Sequence, residues 1–163
     1  MHILAGDIGG TKTRLSIYKY ENGKLEVKSE ISLPSTQYDS LSDLISSAFS
    51  KDELKDIDSA CFGVPGLVVN GTCNVTNLPW RIAEKDLSKD LNMSSVKLVN
   101  DLVATSAGID CLEESSITTL YEGSKDRDMN ISAVVAPGTG LGQAYIHYVN
   151  NKPYYLPTEG GHV

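Results

Sequence analysis

The stretch MHILAGDIGGTKTRLSIYKY, Met1–Tyr20, sets an acid and a glycine pair between two strand-like runs. His2–Ala5 reads as a short buried strand, and Thr13–Tyr18 alternates, with Leu15 and Ile17 on one face. Between them lies GDIGGT, Gly6–Thr11. Glycines let the backbone approach an anion closely, and successive N–H groups in such a turn form an anion-binding concavity. Thr11 and Thr13 add hydroxyls. An acid beside a phosphate is repulsive unless a cation lies between them, so Asp7 points to Mg²⁺ held through water. The same residues also make a tight hairpin in which the glycines serve geometry alone. They match neither GxxxxGK[ST] nor GxGxxG.

PGTGLG, Pro137–Gly142, repeats this logic between Ile131–Ala136, read as a buried strand, and the alternating Ala144–Val149. Two glycine turns between strand pairs in one chain predict two similar phosphate-holding half-sites that face each other.

Working outward, Glu21–Lys24 contains Asn-Gly, a hairpin signal, and leads to a strand at Leu25–Leu33, so three antiparallel strands come first. Tyr38–Phe49 carries Leu41, Leu44, Ile45 and Ala48 at helical spacing. Ile57–Val64 returns to strand, and Gly63–Gly66 reads as a structural turn. A second hairpin is expected around Asn70-Gly71, joining Leu67–Val69 to Cys73–Thr76. Ile82–Leu91 reads as a helix, Val96–Val99 as a buried strand, Leu102–Ile109 as a buried helix and Tyr154–Leu156 as a short strand. The polar run 121–130 reads as a surface loop. A change of composition near 110–116 divides the chain into a lobe of residues 1–110 and the start of a second, 111–163.

The 163 residues carry a net charge of -7 and a pI near 4.9, which argues against nucleic-acid or anionic-membrane partners. Backbone N–H groups can still hold a phosphate locally. Cys61, Cys73 and Cys111 are odd in number and far apart, as expected of reduced, buried thiols rather than a zinc site. The absence of a long apolar run or a leader pattern points to the cytoplasm.

Asn100-Asp101 follows the apolar run VKLV and opens a helix. Asp101 is an N-cap on one reading and a general base facing a cleft on the other, the reading favoured once both glycine turns are considered. TNLPW, Thr76–Trp80, offers an amide of the kind that reads sugar hydroxyls, while Trp80 reads as a half-buried loop residue. EGGH, Glu159–His162, sets a carboxylate and an imidazole on a glycine turn. A carboxylate can accept two vicinal sugar hydroxyls, although the imidazole also reads as a surface residue near the chain end.

In this order, GDIGGTKTRL, GVPG, TNLPW, VNDLVATSAGI, PGTGLGQA and LPTEGGHV resemble the bacterial glucokinases, within the group of sugar kinases, actin and Hsp70-type ATPases. The resemblance implies an α/β fold. Its first lobe is an actin-like ATPase (ribonuclease H-like) lobe with a mixed sheet, followed by the beginning of a second α/β lobe whose C-terminal part is absent. It implies a hexose kinase that transfers the γ-phosphoryl of ATP to the 6-hydroxyl of glucose, with Mg²⁺. By position, Gly6, Asp7, Ile8, Gly9, Gly10 and Thr11 are similar to the first phosphate loop, and Gly138, Thr139 and Gly140 to the second. Asp101 resembles the catalytic base. Asn100, Asp101, Glu159 and His162 match glucose ligands, and Asn77 lies near the sugar.

ROK-type sugar kinases share DIGGTK, NLPW and EGGH-like segments and are the alternative, together with a non-catalytic sugar sensor. NDLVATSAGI and GTGLGQA are closer to the glucokinases. Glucokinases run beyond this length, into an adenosine-binding segment, another glucose-binding acid and a helix that packs back on the first lobe. A second lobe begun at 111 leaves strands unpaired and apolar faces open. These residues alone are therefore expected to lack kinase activity, or to cover those faces as a homodimer or by exchanging elements.

Overall fold

β1 (His2–Ile8) runs through the first half of GDIGGT, past the end expected at Ala5. The computed structural model describes residues 1–123, 130–138, 140–158 and 160–162, with His162 described by its backbone alone. β1 pairs antiparallel with β2 (Lys12–Glu21), which pairs antiparallel with β3 (Lys24–Pro34). Asn22 and Gly23 join β2 to β3 with φ of 52° and 78°, the two positive values that a two-residue I′ turn requires. α1 (Leu41–Ala48) buries Leu41, Leu44 and Ile45 and starts on Ser40, whose hydroxyl accepts the Asp43 N–H at 3.1 Å. The periodicity did not mark α2 (Lys51–Lys55), which opens on a Ser50–Glu53 capping box.

β4 (Ser59–Val64) then enters the sheet parallel to β1. Asn70 and Gly71 do turn the chain, with φ of 50° and 69°, but the hairpin around them is a single bridge between Val69 and Thr72. β5 (Thr72–Asn74) pairs instead with β6 (Arg81–Ala83). β6 takes the first residues of the expected helix, which is α3 (Glu84–Asp90). β7 (Val96–Asn100) closes a five-stranded mixed sheet of order β3-β2-β1-β4-β7, in which β1, β4 and β7 are parallel.

Glycine is required at position 6 by packing. A Cβ there would lie 2.5 Å from the Phe62 ring and 3.0 Å from Leu15. Phe62, Leu4 and Leu15 are fully buried, and with Ile8, Leu41, Leu44 and Ile45 they form the centre of the core.

The chain divides into two compact units, Met1–Asp101 and Leu102–Val163. In the second, β8 (Ile131–Pro137), β9 (Leu141–Val149) and β10 (Lys152–Thr158) form an antiparallel sheet of order β10-β9-β8. α4 (Asp101–Ile109) precedes it. The hydroxyls of Tyr148 and Tyr155 donate to Asp110 at 3.3 and 3.0 Å, joining the end of α4 to β9 and β10.

The buried strand and helix expected here are not buried. Ile131 and Val135 are more than half exposed, and among the described residues of α4 only Ser106 is enclosed. Three strands and one helix offer too little surface to enclose them. Among the described residues, no helix is long and apolar enough to cross a membrane.

Gly6→Ala should destabilise the protein by about 1–3 kcal/mol through overpacking. Gly108→Ala, in α4 where the added carbon meets nothing within 4 Å beyond the backbone of its own helix, should stabilise α4 by up to about 1 kcal/mol. Urea denaturation of both variants checks the opposite signs.

Candidate functional site

Because β1, β4 and β7 are parallel, their carboxyl ends share one edge of the sheet. The register aligns Asp7 with Gly63, Gly63 with Val99, and Val64 with Asn100. With neighbouring strands about 4.8 Å apart, Asp7 and Asn100 stand about 10 Å apart across that edge. Open α/β sheets bind ligands outside such ends. Asp7 is exposed, and Arg14 is its ladder partner on β2.

The turn proper is Gly9–Thr11. Gly6, Asp7 and Ile8 belong to β1, and the Ile8 side chain is buried in the core. The Gly9 N–H donates to the Lys12 carbonyl at 3.1 Å. A Cβ on Gly9 would sit 2.6 Å from that same oxygen, so only glycine closes the turn this way.

The TNLPW loop stands against this turn. A Cβ on Gly10 would come within 3.3 Å of the Asn77 Cβ. Asn77 is exposed in a left-handed conformation, φ 65°, which asparagine tolerates. The loop is closed by the Val75 N–H donating to the Trp80 carbonyl at 3.0 Å. Trp80 is only 4% exposed, and its indole N–H donates to the Tyr38 carbonyl at 3.0 Å. It is a core residue rather than a half-buried loop residue.

Gly63–Gly66 extends the rim. The Thr76 N–H donates to the Pro65 carbonyl at 3.1 Å, and the Asn100 amide donates to the Gly66 carbonyl at 3.2 Å. Gly10, Asn77, Pro65-Gly66 and Asn100 thus follow one another along a single edge. Asp101 follows at once as the first residue of α4, half-buried, where the helix dipole favours a negative charge. Burial, and next the Asp101 carboxylate, push the Cys73 thiol above its ordinary pKa. Cys73 is buried as expected, whereas Cys61 and Cys111 are exposed.

In the second unit, the Gly138 N–H donates to the Gly140 carbonyl at 2.8 Å, closing the turn between β8 and β9. Thr139 and Glu159 lie outside the described residues, as does the side chain of His162. The Gly160 N–H donates to the Thr158 hydroxyl at 3.1 Å.

Two residues at the first edge carried no functional reading. Gly66 reads in the sequence as part of a structural turn, from its Pro-Gly pair. Ser35 follows Pro34 at the end of β3, and its hydroxyl donates to the Gly9 carbonyl at 2.7 Å. No motif marked it.

A family model described as "Glucokinase" matches residues 4–163. The glucokinase of Nostoc sp. is 35% identical over 162 residues, covering 98% of this chain and 47% of that protein. Among solved structures, a glucokinase from an Antarctic psychrotroph superposes with a TM-score of 0.84 at 25% identity, over 99% of this chain and 51% of that one. The glucokinase of Balamuthia mandrillaris in complex with glucose gives 0.70 at 24%, over 99% and 48%. The chain therefore spans about half the length of the curated relatives it matches.

Iodoacetamide at pH 8 should label Cys111 quickly and Cys73 slowly, because Cys73 is both buried and poor in thiolate. Asp101→Asn should quicken Cys73 labelling by removing one cause of the raised pKa while burial remains. Peptide mapping by mass spectrometry reads both rates.

Proposed function

The chain belongs to the glucokinase family, and on that footing we propose that the protein serves as a cytoplasmic ATP-dependent hexose kinase, converting glucose to glucose 6-phosphate. The observation that carries this reading is the shared edge of β1, β4 and β7, which has a glycine turn at one end and the Asn100-Asp101 pair at the other. The relative solved with glucose supports a hexose as acceptor.

In this reading the N–H groups of Gly9–Thr11 hold the nucleotide phosphates, and Gly138, Thr139 and Gly140 are assigned the same kind of ligand. Gly6 and Ile8 support the turn from within β1. Asp7 fits a magnesium ion, since it is an exposed carboxylate two residues before the turn and offers the hard oxygen donors that ion takes. When bound, Mg²⁺ neutralises charge on the phosphates.

Asn77, Asn100, Glu159 and His162 bind the sugar hydroxyls and orient the 6-hydroxyl. An Oδ atom of Asp101 takes the proton of that hydroxyl as its oxygen bonds to the γ-phosphorus and the bond to ADP breaks. The amino end of α4 favours negative charge at Asp101, which suits a carboxylate acting as base.

Asp101→Asn in the full-length protein should lower kcat by about 10²- to 10⁴-fold and leave glucose affinity nearly unchanged, as read by a coupled assay and by calorimetric titration of glucose. A variant that kept most of its turnover would remove Asp101 from the role of base. Asp7→Asn should raise the Mg²⁺ concentration needed for half-maximal rate, measured at fixed ATP.

A further inference from the structure

We propose that Ser35 is a positioning residue that fixes the plane of the Gly9–Gly10 peptide and thereby aims the Gly10 N–H at a nucleotide phosphate. The inference rests on the reading of Gly9–Thr11 as a phosphate turn.

Ser35 grips the turn twice from inside the protein. Its hydroxyl donates to the Gly9 carbonyl at 2.7 Å, and its main-chain N–H donates to the Thr11 carbonyl at 2.9 Å. Its side chain is fully buried, as is that of Thr13, whose hydroxyl lies 2.9 Å from the Ser35 hydroxyl. A hydroxyl has one proton. The Ser35 proton goes to Gly9, so Thr13 donates to Ser35. The two hydroxyls form a directed relay, Thr13 to Ser35 to the Gly9 carbonyl.

Such a relay is needed at a Gly-Gly peptide. Neither residue has a Cβ, so rotation of the plane between them meets little steric resistance. The described peptide bonds contain none in the cis form, and in a planar trans peptide the carbonyl and the following N–H point in opposite directions. Holding the Gly9 carbonyl inward on Ser35 therefore turns the Gly10 N–H outward. A donor fixed in advance needs no reorganisation when the anion arrives. Pro34, the ladder partner of Lys12, leads directly into Ser35, so the end of β3 carries this clamp to the turn.

The test uses the full-length protein and calorimetric titration of MgADP and, separately, of glucose. Ser35→Ala should weaken MgADP binding about tenfold or more and leave glucose affinity unchanged. The KM for MgATP should rise while the KM for glucose stays constant. Thr13→Val, close in shape but without the hydroxyl, should give a smaller loss of the same selectivity. Unchanged MgADP affinity in Ser35→Ala, or equal loss for MgADP and glucose, overturns the proposal. If Ser35→Ala does not fold, Thr13→Val decides it, a selective MgADP loss upholding it and its absence overturning it. If the wild-type protein binds no MgADP at all, the phosphate reading itself falls, and this inference with it.

Discussion

The close approach of the Phe62 ring to the bare backbone of Gly6 underlies the arrangement at the carboxyl edge of the sheet. It lets β4 lie beside β1 with a fully buried aromatic ring over the junction, a burial that contributes about 1.5–3 kcal/mol. With β1 fixed between β2 and β4, Asp7 and the turn that follows start from a strand held on both sides. The parallel step from β4 to β7 then sets Asn100 at the same level. One missing side chain thus positions residues far apart in sequence.

Much of this was legible before the fold. The three opening strands, the Asn22-Gly23 turn, the apolar stripe of α1 and the entry of β7 into Asn100-Asp101 all follow from local pattern. The failures share a cause. Asn70-Gly71 promised a hairpin from local turn chemistry, but β5 found a better partner in β6, a choice made by tertiary packing. The apolar runs Leu102–Ile109 and Ile131–Ala136 look like core, yet burial depends on what else is present to cover them. At the site, the glycine turn and the two asparagines were visible because their residue types are chemically distinctive. Ser35 was not, since a lone serine after a proline has no pattern and acquires meaning only when β3 delivers it beneath Gly9.

The charge arrangement suits an anionic ligand in spite of the protein's net charge of -7. Asp7 stands near the end of β1 and Asp101 opens α4 directly after β7, with Lys12 and Arg14 exposed beside the turn. Fixed backbone dipoles supply the local positive potential without altering the net charge. Under the proposed function, an acidic protein would in this way receive a polyphosphate where the chain doubles back and repel it elsewhere.

Trp80 is the only tryptophan in the chain. Its indole is shielded from water and hydrogen-bonded to Tyr38, three residues after Asn77. The protein therefore carries a single indole beside the Asn77 loop, and its emission, excited at wavelengths where tyrosine does not absorb, reports on the first unit. Unfolding of that unit, and any movement of the Asn77 loop, can be followed optically without a label, while the five tyrosines of the second unit are not excited at those wavelengths.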